Sequence, residues 1–166
     1  LKTKHKKSII KNKVMKKIQV LDCTLRDGGY YNNWDFSKEI VNDYLKVMSA
    51  VGVDYVELGF RSFKTKSFKG PTWYTTESYL SSLSIPKNLT IGVMVNASEL
   101  ILHPLGILKA TKIMFKNSKK SKIKLVRLAC HFEEFDKAVK VCKILQGMGY
   151  KVAINLMQIS EQTKEK

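Results

Sequence analysis

The sequence predicts a parallel α/β fold: a partial TIM (β/α)8 barrel holding roughly its first five β/α units. Three observations carry that expectation. Short apolar runs alternate with amphipathic helical stretches between residues 17 and 157, the order from which parallel sheets are built. Polar residues gather where those runs end, at Asp22, Arg26, Asp27, Glu57, Asn96, His131, Asn155 and Gln158, and barrel enzymes place their sites at the C-terminal ends of strands. The rival is a doubly wound nucleotide-binding sheet. It needs a Gly-x-Gly-x-x-Gly turn opening a helix, which Gly28-Gly29 does not supply.

Residues 17–22 read as the first strand. Ser37 offers a cap, and residues 38–51 set Ile40, Val41, Tyr44, Leu45 and Met48 at helical spacing until Gly52 stops the helix. Residues 53–60 read as the second strand, apolar apart from Asp54 and Glu57. A carboxylate inside such a strand is costly unless it is paired or points to solvent. Residues 61–76 form a long loop in which Trp73 and Tyr74 either cover the site or pack the loop down. A short helix over 77–83 leads to a third strand, 89–95, ending at Asn96. Another short helix, 97–102, is broken by His103-Pro104, and 106–115 is ambiguous. After a lysine-rich loop, 116–122, comes a fourth strand, 123–129. Arg127 and His131 then fall near the active face; either could meet an anionic substrate, and His131 could equally cap the following helix, 133–146. Gly147 and Gly149 end that helix before a fifth strand, 151–157, and a charged tail from 161.

Composition narrows the class. With 166 residues, 44% of them hydrophobic, the chain is long enough for one domain with a real core. No apolar run approaches the ~20 residues of a membrane span, and no signal-peptide layout is present. Cys23, Cys130 and Cys142 are odd in number and widely spaced, which suits a reduced, cytoplasmic setting rather than a disulfide framework. The net charge of +16 would raise nucleic acid as a partner, but its two lysine clusters are a basic arm, residues 1–15, expected to be disordered, and the 116–124 stretch. Neither interleaves aromatics with arginines as stacking sites do. No specific nucleic acid and no membrane partner is expected.

The chemistry concentrates in residues 20–34, Val-Leu-Asp-Cys-Thr-Leu-Arg-Asp-Gly-Gly-Tyr-Tyr-Asn-Asn-Trp. Asp22 and Asp27 are hard oxygen donors suited to a divalent cation. Arg26 offers a permanent charge and a planar fork of donors for a carboxylate or enolate oxygen. Gly28 and Gly29 are expected to turn the backbone steeply with positive φ. The run Asp22-x-Thr24-Leu25-Arg26-Asp27-Gly28 resembles the first-strand signature of the metal-dependent aldolase and lyase superfamily, the pyruvate carboxyltransferase or HMGL-like domain. Its continuation, Gly28 to Asn32, is most similar to the 4-hydroxy-2-oxovalerate aldolase-like branch.

The resemblance covers residues 16–158 and implies a carbon–carbon lyase acting on a 2-oxo acid through an enolate. By resemblance Asp27 is a ligand of Mg²⁺ or Mn²⁺, Arg26 stabilises the enolate oxygen, and Glu57 supports both. Arg61, Asn96 and His131 are assigned to the substrate. Two departures accompany it. The superfamily takes two further metal ligands from a His-x-His pair on a later strand, and the histidines here are His5, His103 and His131. The aldolase branch carries a histidine after the first strand where this chain has Tyr30, Tyr31, Asn32 and Asn33; a Tyr30 hydroxyl relaying a proton is the substitute considered. Three expectations stand side by side: the N-terminal portion of such a lyase, weak or inactive alone; a piece of a Claisen-type synthase using an acyl-CoA; and a non-catalytic remnant or half of a split enzyme. The open strand edges imply a homo-oligomer or a complementing C-terminal half.

Overall fold

The computed structural model describes residues 18–161 and residue 163; the basic arm expected over residues 1–15 lies outside them. Among the described residues five strands, β1 (Leu21–Asp22), β2 (Tyr55–Phe60), β3 (Thr90–Asn96), β4 (Ile123–Cys130) and β5 (Lys151–Leu156), form one parallel sheet in sequential order. That order, with a helix between each pair of strands, is the curled α/β half-barrel expected from the sequence.

The helices are α1 (Thr24–Asn32), α2 (Lys38–Ala50), α3 (Pro71–Tyr74), α4 (Glu77–Ser82), α5 (Ala97–Ile101), α6 (Gly106–Met114) and α7 (Phe135–Gly147). Ser37 caps α2 by accepting from the Ile40 amide, and Gly52, at φ +82°, ends it. The ambiguous stretch 106–115 resolves as α6.

Side chains alternate across the sheet. Val56, Leu58, Ile91, Val93, Val95, Val126 and Leu128 pack outward with Val41, Leu45, Leu80, Leu100, Val141 and Leu145 of the helices into the main core. On the concave side Trp34, Phe60, Met94 and Ala129 form a second, smaller cluster with Trp73 and Met157. No described helix is long and apolar enough to cross a membrane, and all three cysteines are free.

One sequence expectation is corrected around β1. Gly28 and Gly29 do not turn the chain: α1 runs straight through them, and neither has positive φ. A helical glycine costs about 1 kcal/mol against alanine, and at position 29 packing explains it, because a Cβ there would collide with the Trp34 indole. The turn comes later, at Asn33 and Trp34, with φ of 58° and 60°. Asp22, read from the sequence as a donor suited to a divalent cation, is engaged within the chain. Its carboxylate accepts from the Thr24 amide (2.9 Å) and hydroxyl (3.1 Å) and from the Tyr44 hydroxyl, and so secures the start of α1.

Burial works against the Asp22 charge, but the bonds from Tyr44 and Thr24 outweigh it and hold the carboxyl below its usual range. A depressed folded-state pKa contributes stability that is present above the unfolded value of about 3.9 and is lost as pH falls through the folded value. Asp22→Asn is expected to cost about 1 kcal/mol at neutral pH through weaker hydrogen bonds from Thr24 and Tyr44 and to flatten the acid limb of the stability profile. Urea unfolding between neutral pH and pH 3 checks this; parallel profiles for the two proteins would refute it.

Candidate active site

The site is built around Glu57. It lies within β2, is 0% exposed, and faces the concave side of the sheet. A carboxylate in that position needs partners, and it has two guanidinium groups. Arg26 Nε, from α1, donates to Oε1 at 2.8 Å. Arg127 Nη1, from β4, donates to Oε1 at 3.2 Å and to Oε2 at 3.1 Å. The two arginine side chains are 14% and 19% exposed, so the cluster sits just beneath the surface of the open barrel.

Further contacts hold each arginine. Arg127 Nη2 reaches Asn155 Oδ1 on β5 at 3.4 Å, and Nη1 approaches Cys23 Sγ at the same distance. Arg26 pairs through Nη1 with Asp27 Oδ1 at 2.6 Å and stacks 5.9 Å from the Phe60 ring centroid. Its backbone carbonyl accepts from the Trp34 indole at 2.9 Å, which fixes the helix turn that carries it. Burial opposes the Arg26 charge, but the bond to Glu57, the field of Glu57 and then that of Asp27 keep it protonated above the ordinary guanidinium range. Burial, reinforced by Glu57, pushes the Cys23 thiol up, so the sulfur stays a neutral neighbour. Two arginines face two carboxylates here, the buried Glu57 and Asp27, 61% exposed at the rim, so the cluster balances in formal charge.

Arg26, Asp27 and Glu57 thus come together. Arg127 and Asn155, also singled out from the sequence, join them, whereas Tyr30, Asn96, His131 and Arg61 make no hydrogen bond to the cluster among the described residues. Tyr30 stands one turn beyond Arg26 on α1, 65% exposed, its ring edge-on to Trp34 at 4.7 Å. Asn96 ends β3 at the cap of α5, where its side chain makes no capping bond. His131 precedes a 3-10 turn, Phe132–Glu134, and its amide donates to Glu134 Oε2 at 3.0 Å. Arg61 faces the helical layer: Nε donates to the Met114 carbonyl at 3.0 Å, and Nη1 to those of Thr75 (2.8 Å) and Tyr74 (3.3 Å). Arg127 was legible only as a residue near the active face. The signal that could have paired it with Glu57 was a charge in the middle of each apolar strand, of opposite sign in the two.

The donor set does not by itself fit Mg²⁺ or Mn²⁺. Among the described residues no three His, Cys, Asp or Glu side chains converge, and Asp27 offers a single carboxylate already paired with Arg26.

Fold and cluster together define a TIM-type α/β half-barrel with a charged site on its inner face. Its likeness to known proteins is coarse and of the aldolase and lyase type. The chain is 33% identical, with a TM-score of 0.69, to the solved N-terminal domain of a "putative aldolase" from Bacteroides vulgatus, over 87% of this chain and 46% of that one. It is also 30% identical over 78 residues to oxaloacetate decarboxylase of Mycobacterium tuberculosis, a match covering 46% of this chain and 23% of the relative. The matches therefore span less than half of either relative. No protein-family model matches the chain.

Proposed function

We propose that this chain carries the acid-binding and enolate-stabilising half of a carbon–carbon lyase for 2-oxo acids, working with the remaining strands of a barrel. The observation that supports it most is the fully buried Glu57 held between Arg26 and Arg127. Glu57 costs too much to bury for a merely structural tie between two strands. In this reading it aims two guanidinium groups at the place where a 2-oxo acid presents its carboxylate and carbonyl.

The chemistry then follows from charge. In a retro-aldol cleavage a base removes the proton of the 4-hydroxyl, the bond between C3 and C4 breaks, and its electron pair moves into the enolate over C2 and C3. An aldehyde leaves and the enolate takes a proton. Loss of carbon dioxide from oxaloacetate breaks the corresponding bond and delivers the same enolate, so the names of both relatives fit one site. Arg26 and Arg127 oppose the negative charge that grows on the enolate oxygen, a role worth more in a water-poor cleft than in solution. Tyr30, on the same face of α1 as Arg26, is the group of this chain assigned to relay the proton.

Oxalate, a planar dianion shaped like that enolate, tests the reading without turnover. Calorimetry is expected to show saturable binding that weakens about tenfold or more in Arg127→Met, the size of one charge-assisted contact. Equal affinity in the variant, or oxalate binding no tighter than sulfate, would defeat it. Where the barrel is complete enough to turn over, Arg26→Lys should slow pyruvate release by about a hundredfold or more.

A further inference from the structure

A second cavity lies on the opposite, helical side of β2. It has a volume of about 430 Å³, within the range of small-molecule sites. Its walls are the loop after β2, α3, the start of α4 and the end of α6. None of Arg26, Asp27, Glu57 or Arg127 lines it.

Its chemistry is one-sided. Phe63, Pro71, Ile113 and Met114 supply apolar surface, and Tyr79 adds a ring whose buried hydroxyl has no partner among the described residues. The charged residues that line it are Arg61 and Lys64, both cationic. Arg61 spends Nε and Nη1 on carbonyls, while Nη2 makes no hydrogen bond among the described residues; Lys64 stands exposed at the rim. Two carboxylates stand close to its walls, Glu99 beside Ser62 and Phe63 and Glu77 within the field of Arg61, and both already accept hydrogen bonds. Glu99 accepts from the Ser62 hydroxyl and the Phe63 amide. Glu77 accepts from the Ser121 hydroxyl and the Lys122 amide.

We infer that this cavity binds an amphiphilic carboxylate, an aliphatic or aromatic body carrying one acid group. The body occupies the slot between Phe63, Tyr79 and Met114, and the acid meets Lys64 and the free edge of Arg61. The site is independent of the proposed lyase chemistry and stands if that reading fails.

Octanoate is the probe and octanol, the same chain without charge, its control. Heteronuclear NMR titration of the protein is expected to give saturable octanoate shifts at Phe63, Tyr79 and Ile113, with octanol at least about tenfold weaker. Two substitutions at exposed positions, which leave the core untouched, separate the contributions. Lys64→Glu should weaken octanoate about tenfold and leave octanol unchanged; Ile113→Trp, at the rim, should weaken both. Shifts centred on the Glu57 cluster, absence of saturation, or equal affinity for the two probes would overturn the assignment.

Discussion

Glu57→Gln is expected to cost about 3–5 kcal/mol of folding stability, the scale for removing one partner from a buried ionic cluster. The side chain keeps its shape and loses its charge, so packing is nearly unchanged and the loss is electrostatic. Arg26 and Arg127 would then face one another across a neutral amide, at 14% and 19% exposure, too dry for water to screen them fully. Urea unfolding should show a lower midpoint with an unchanged slope. Arg127→Met should cost less, because Glu57 keeps its 2.8 Å bond to Arg26, and Glu57→Gln with Arg127→Met together should fall well short of the sum. A loss under about 1 kcal/mol for Glu57→Gln would mean that the cluster behaves as a solvated surface pair, and the argument for a preorganised acid site would go with it.

Gly59→Ala comes next, with an expected loss of about 1–3 kcal/mol or more. Gly59 lies in β2 where the register with β3 shifts between Glu57 and Phe60, and a Cβ there would sit deep inside the contact distance of the Thr72 carbonyl oxygen in α3. That oxygen belongs to the backbone and cannot rotate away. It is also held: it accepts from the Thr75 hydroxyl at 2.9 Å, while the Thr72 hydroxyl donates to the Trp34 carbonyl at 2.8 Å. Relief requires α3 to move off the strand and take Trp73 with it, which opens the aromatic cluster beside Arg26. Thermal unfolding should show the loss, and oxalate affinity should fall in parallel. A variant as stable as the parent would mean that the loop carries α3 loosely.

Periodicity made most of the elements legible. The α2, β2, β3, β4, α7 and β5 segments all appear within a few residues of where apolar spacing and caps put them, because each buries one stripe or both faces against a neighbour. The short α3 was hidden inside residues 61–76, since a four-residue helix has no period to detect. The glycine pair misled because glycine marks either a special φ or a close approach; at Gly29 the approaching group is Trp34, five residues on. Arg61, assigned to the substrate beside the resemblance, turns its side chain to carbonyls of the helical layer. Position along a strand is readable; the face taken after its last residue is not.

The chain's order of residues alone determined the parallel α/β class, the placing of charge at strand ends, and the choice set for Glu57, a partner or solvent, since a carboxylate in an apolar strand can be read as a cost before any coordinates exist. Tertiary structure alone decided who the partners are. Arg26 and Arg127 lie 31 and 70 residues from Glu57, and only the curl of the sheet brings α1 and β4 over the same carboxylate. Local propensity extends over a turn or two of chain, while the field of this cluster is summed over groups that meet only when the barrel wall bends.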